Sequence, residues 1–119
     1  MSAPATSVAM QLGTRLREMH GVIEQLRAAE LTAIEARHEA NVREWKHFMA
    51  TPGGAELRKT AARLEVEAFT FAAENAEAEV RHLIRALREA DKRVEVGRTF
   101  AADARVEAKV IGLTPETWT

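Results

Sequence analysis

The sequence predicts an all-α protein, built as a long antiparallel helical hairpin of coiled-coil type with a C-terminal helical extension or a short third helix. Proline occurs only at Pro4, Pro52 and Pro115, so two long stretches keep every backbone donor that a helix needs. Apolar residues recur at alternating steps of three and four along both stretches. Aromatic residues make up 5% of the 119 residues, so a thick interior of large side chains is not expected. One helical domain, 1–119, is the expectation.

The first helix is predicted over residues 8–50, after an N-terminal tail at residues 1–7. Its apolar residues keep to one side of the helix, since steps of three and four return to the same face. The predicted stripe contains Leu12, Leu16, Met19, Ile23, Leu26, Ile34, His38, Val42, Trp45 and Met49.

The turn between the helices is predicted at residues 51–54. Pro52 disfavours helical geometry in the residue before it, and Gly53 and Gly54 can adopt a positive φ. Glu56 then places a negative charge in the first turn of the next helix. A connection this short joins antiparallel neighbours.

The second helix is predicted over residues 55–96. Folding the chain at the turn sets Ile34 opposite Phe71 and Leu12 opposite Val94. The two stripes are therefore expected to form the seam between the helices. The second stripe contains Leu57, Ala61, Leu64, Ala68, Phe71, Asn75, Ala78, Leu83, Leu87, Ala90 and Val94.

Residues 97–112 continue the periodic pattern as a helical extension, and residues 113–119 form a C-terminal tail. Gly97 is expected to face the start of the first helix, so the intrachain partner should end there. Small residues beyond that point then need an intermolecular partner, or a third helix that folds back. The predicted partner-binding residues are Val94, Gly97, Ala101, Ala104, Ala108, Ile111 and Trp118.

Trp45 and Phe48 lie just before the turn and have two interpretations. They can cap the tip of the hairpin against Leu57 and Ala61, which is the favoured one. They can instead be an exposed anchor for a partner.

The Trp45 position is similar to that of the small Trp-x-Gly proteins secreted by type VII systems, which are helical hairpins of about this length with a Trp near the turn. The resemblance implies a secreted hairpin as an alternative function. The chain departs from the family pattern at His47, where the family carries Gly. The sequence has no Tyr for the C-terminal secretion signal, and Phe100 followed by Asp103 has a different spacing.

Charge and chemistry leave two further alternatives. The 17 basic and 18 acidic residues are interspersed, so nucleic-acid binding is not expected, although a packaging or regulatory helper could use a basic run in the second helix. That run contains Arg81, Arg85, Arg88, Lys92, Arg93 and Arg98. Three Glu-x-x-His pairs have the spacing of metal ligands in helical bundles, which makes a metal-binding bundle the other alternative. The pairs are Glu35 with His38, Glu44 with His47 and Glu79 with His82.

The function expected from these observations is a non-enzymatic structural or adaptor protein. No catalytic, cofactor-binding or metal-binding residue is assigned, and the expected partner is protein, either further copies or a larger assembly such as a phage particle. No signal peptide or membrane-spanning run is found, so a cytoplasmic or virion-associated location without membrane contact is expected.

Overall fold

A computed structural model describes residues 5–110 of the chain. Within this range the chain forms three helices and no strand, which confirms the predicted all-α helical hairpin. The first helix begins three residues before the predicted start at residue 8, and residues 97–110 continue the last helix. The helices are α1 (Ala5–Ala50), α2 (Ala55–Glu65) and α3 (Glu67–Val110).

The turn between α1 and α2 occupies residues 51–54. Gly53 has a φ of 113°, a conformation that disfavours any residue with a Cβ atom. The Thr51 backbone N–H donates to the His47 carbonyl oxygen at 3.0 Å, and the Thr51 hydroxyl donates to the same oxygen at 2.7 Å. Arg58 Nε donates to the Phe48 carbonyl oxygen at 3.0 Å, so a cation satisfies the C-terminal end of α1.

A one-residue interruption at Val66 separates α2 from α3. Val66 has φ −100° and ψ 11°, outside helical geometry, but its N–H still donates to the Ala62 carbonyl oxygen at 3.2 Å. The N–H of Thr70 donates to the Val66 carbonyl oxygen at 2.9 Å. The hydrogen bonding therefore runs through the interruption, which no Pro or Gly in the sequence marks.

The chain divides into two compact units. Unit 1 combines Met1–Glu24 with Arg85–Thr119, and unit 2 is the continuous segment Gln25–Ile84. Unit 1 thus contains the start of α1 and the end of α3, whereas unit 2 contains the turn and the helices next to it.

The core of unit 2 is built mainly from alanine. Ala62 and Ala73 are fully buried at 0% exposure, and Ala40 is 2% exposed. Small side chains at a helix contact let the backbones approach closely and leave little volume for larger groups. The buried apolar residues of unit 2 are Ala33, Ala40, Ala62, Val66, Ala73 and Leu83.

We call the buried Ala33, Ala40, Ala62 and Ala73 the alanine seam. Their burial differs from the predicted pairing of the two apolar stripes. Ile34 and Phe71, predicted to face each other, are 67% and 64% exposed. The register that sets Ile34 opposite Phe71 would place Arg37 near Ala68, yet Arg37 contacts Glu77, more than two helical turns farther along the chain. The helices of this unit meet mainly through alanines, together with Val66 and Leu83, and Ile34 and Phe71 remain outside.

Unit 1 is closed by contacts between the start of α1 and the end of α3. A Cβ atom added at Gly97 would lie 3.1 Å from Leu12 Cδ1, so the glycine is in close contact with α1. Arg15 Nη1 donates to the Arg93 carbonyl oxygen at 3.1 Å. The α1 partner positions fall as the α3 positions rise, so the two segments are antiparallel within this unit. Its buried apolar residues are Val8, Ala90, Val94 and Ala108.

The alanine seam predicts a sharp difference between two neighbouring alanines of α3. Ala73→Leu inserts a larger side chain into a fully buried position and should lower the free energy of unfolding by about 1–3 kcal/mol or more. Ala72→Leu, at an exposed position on the same helix, is the matched control and should change it by less than about 0.5 kcal/mol. Urea denaturation followed by circular dichroism measures both. Equal effects of the two substitutions would show that Ala73 is not in the seam.

Candidate interaction surface

The outward side of α1 in unit 2 carries large apolar side chains that no part of the described chain covers. We name it the α1 outer face, and it consists of Leu31, Ile34, Trp45 and Met49. All four side chains are more than half exposed, and Trp45 is 63% exposed. The half-buried Val42 and the exposed His38 lie between them on the same side of the helix. Contiguous exposed apolar groups on a soluble protein mark contact sites.

A second apolar surface lies on the other arm of the hairpin. We name it the α2–α3 outer face, and it consists of Leu57, Leu64 and Phe71, each more than 60% exposed. The three residues follow one another at intervals of seven, close to two helical turns, so they share one side of the arm. Ala61 and Ala68 fall between them and give the surface an alternation of large and small side chains.

Two shallow depressions border the α1 outer face. The larger has a volume of about 490 Å³ and is lined by Ala33, Ile34, Arg37, His38, Glu77 and Val80, among others. The smaller has a volume of about 360 Å³ and is lined by Trp45, Phe48 and Lys59, among others. The lining of both depressions combines apolar with charged or polar side chains, which suits an amphipathic side chain of a partner.

An ion pair between Arg37 and Glu77 forms one wall of the larger depression. Arg37 Nη2 lies 2.6 Å from Glu77 Oε1, and Arg37 Nε donates to Glu77 Oε2 at 3.1 Å. This two-pronged geometry fixes α1 against α3 within unit 2. The hydrogen bond from Arg37 holds the pKa of Glu77 below its usual value, and the same bond raises the pKa of Arg37.

Most of the predicted partner-binding residues lie elsewhere, in unit 1, and are used by the chain itself. Val94 and Ala108 are buried, as is Gly97 against Leu12. Ala101 and Ala104 are half-buried. The sequence predicted that the intrachain partner of this segment ends opposite Gly97. Because α1 begins at Ala5, that partner extends farther.

The remaining two predicted contact residues, Ile111 and Trp118, lie outside the described residues.

Trp45 and Phe48 differ in their exposure, although one role was predicted for both. Phe48 is half-buried, and the Arg58 guanidinium lies 4.2 Å from its ring centroid, so Phe48 and Arg58 close the tip. Trp45 and Leu57 remain exposed, so Trp45 is not the predicted cap. The predicted α1 stripe included Ile34, Trp45 and Met49 but not Leu31, and it did not indicate that these side chains face outward.

The metal-binding alternative gains no geometric support from the described residues. Among them, no three His, Cys, Asp or Glu side chains come together in a way that could hold a metal ion. In the basic run, Arg98 is paired with Glu95 at 2.9 Å. None of the helices within residues 5–110 has a stretch sufficiently long and apolar to span a membrane.

The Arg37–Glu77 pair predicts a pH dependence of stability. Since the folded chain lowers the pKa of Glu77, the pair's contribution is present above the carboxyl's unfolded pKa, about 4.3, and is lost as the pH falls through the folded value. Glu77→Gln should lower the melting temperature at pH 7 and reduce its decline between pH 7 and pH 3. Glu79→Gln, two residues along α3, is the control. Parallel pH profiles for Glu77→Gln and the unmodified chain would contradict the assignment.

Two valines of α3 test whether the end of this helix packs within its own chain. Val94→Ala should lower the free energy of unfolding by roughly 1–3 kcal/mol, because Val94 is fully buried. Val96→Ala, at a position that is 47% exposed, should have a smaller effect. Chemical denaturation at a low, fixed protein concentration measures the difference without a contribution from association. If Val94→Ala matched Val96→Ala there, Val94 would not be an intrachain core residue.

Comparison with known proteins identifies no relative of this chain. The chain matches no protein family, no curated protein and no solved structure.

Proposed function

We propose that this chain is a non-enzymatic structural or adaptor protein that works by helix-to-helix association. The observation that carries the proposal is the exposure of seven large apolar side chains on the two outer faces of unit 2. The residues are Leu31, Ile34, Trp45 and Met49 on α1, and Leu57, Leu64 and Phe71 on the other arm.

The balance of burial in unit 2 supports association over a role as an isolated monomer. The alanine seam removes little apolar area from water, because each alanine contributes only its methyl group. The larger apolar side chains contribute when a partner covers them, and each Leu, Ile or Met then contributes roughly 1.5–3 kcal/mol. Small helical domains with thin cores are commonly stabilised by oligomerisation.

The shallow depressions support the same function. They are open hollows on a helix surface, whereas enzyme sites exclude water from reacting groups. They can receive side chains of a neighbouring helix, as pockets do at protein interfaces. A larger assembly, of which a phage particle is one example, would use such a hairpin as a subunit or connector. That last context rests on the sequence alone.

Sedimentation equilibrium of the full chain over a wide range of concentrations tests the proposal. We expect a mass above that of one chain that increases with concentration. A variant with Gln at Ile34, Trp45, Leu64 and Phe71 should sediment as a monomer with its helical signal retained, because all four side chains are exposed. The matched control carries Gln at Met10 and Val106, which are exposed on unit 1, and should associate like the unmodified chain.

A full chain that remained monomeric at every concentration would overturn self-association. Association unchanged in the four-residue variant would remove both outer faces from the interface.

A further inference from the structure

We propose, building on the association inferred above, that the α1 outer face binds the same face of a second copy in antiparallel orientation. The result is a two-fold symmetric pair in which Trp45 of each copy occupies the depression beside Ile34 of the other.

The distribution of apolar residues on this face is symmetric about Ala40. Leu31 and Met49 lie at equal distances on either side of it, and Ile34 and Trp45 lie at distances that differ by one residue. An antiparallel copy centred there therefore brings Leu31 against the second copy's Met49 and Ile34 against its Trp45. Every large apolar residue of the face meets another, which a self-complementary interface requires.

The depression beside Ile34 suits the indole of a tryptophan. Its lining includes the apolar side chains of Ala33, Ile34 and Val80 as well as Arg37. An arginine over an aromatic face is attracted to the ring, and Trp is the preferred ring. Asn41 also lines the depression, and its amide oxygen can accept a hydrogen bond from the indole N–H. Buried aromatic anchors in such hollows dominate the binding energy of interfaces.

The charges beside this face agree with the same orientation. Glu35 and Lys46 lie on one flank of the α1 outer face, and both are exposed. They stand at nearly equal distances on either side of Ala40, so Glu35 of one copy lies opposite Lys46 of the other, twice in the pair. In a parallel pair centred on the same residue, Glu35 and Lys46 lie at different heights along the helix axis and do not meet, so this attraction is absent.

The α2–α3 outer face offers a symmetric pair of its own, because Leu57 and Phe71 lie at equal distances from Leu64. The larger depression, which can receive an aromatic ring, lies beside the α1 outer face and favours that surface. A contact of the α1 outer face with the α2–α3 outer face would be heterologous and would extend into open-ended polymers. The closed pair through α1 avoids such open-ended growth.

Analytical ultracentrifugation of single-face variants of the full chain tests this surface. We expect Trp45→Gln to raise the dimer dissociation constant about a hundredfold or more, because both anchors are lost. Leu64→Gln, on the opposite arm, should leave it unchanged within about twofold. Loss of association in Leu64→Gln alone would overturn the α1 surface while leaving the proposed association intact.

Charge reversal tests the orientation. Glu35→Lys and Lys46→Glu should each weaken the dimer by about tenfold, and the double variant should restore it, because the opposite charges then face each other again. Weakening by both single variants without restoration by the double variant would overturn the antiparallel register.

Crosslinking supplies an independent measurement, because the chain contains no cysteine. A mixture of Leu31→Cys and Met49→Cys chains should form disulfide-linked dimers on mild oxidation, whereas neither variant alone should do so. Efficient crosslinking of either variant by itself would indicate a parallel pair and overturn the proposal. Species larger than a dimer that both Trp45→Gln and Leu64→Gln dissolve would indicate the heterologous polymer instead. A chain that is monomeric throughout would overturn this pair together with the self-association on which it rests.

Discussion

Contact between alanines in unit 2 is the constraint on which the other features of this region depend. Ala33 and Ala40 on α1, with Ala62 and Ala73 on the opposite arm, occupy the seam and bring the helices close together. A buried alanine leaves little volume for a larger group at its own position. Seven large apolar side chains of this unit lie on the outer faces, although Leu83 is buried, and the Arg37–Glu77 ion pair joins the two arms in this register.

This arrangement separates the forces that shape the hairpin from those available for association. The backbone hydrogen bonds of the helices, the Gly53 turn and the contact between Arg58 and Phe48 define the fold locally. Little apolar area is used in the seam. A larger stabilising free energy from apolar burial is available only when a partner covers the outer faces. Since the alanines of the seam leave those faces exposed, the same residues determine both the fold and the surface for association.

Much of the secondary structure could be predicted, because its causes are local. Pro52 and Gly53 indicated the turn at residues 51–54, and the absence of other prolines indicated long helices on both sides. The pairing of the faces could not be predicted in the same way. Leu57, Leu64 and Phe71 follow a regular heptad spacing, which indicates that they share a side of a helix but not which way that side faces. The buried residues Ala62, Val66, Ala73 and Leu83 form a second stripe on the same arm, which the sequence analysis did not place in the seam.

The sequence by itself determined that the chain is a helical hairpin, where it turns, and which residues share a side of each helix, since these depend on backbone dihedral angles and hydrogen bonds within short segments. Only the tertiary structure decided that the alanines form the seam of unit 2, that Val94 and Gly97 are buried in unit 1, and that Trp45 is exposed. The physical reason is that the choice between two apolar stripes depends on how closely two helices can approach. That distance is a property of the packed pair and of no single segment.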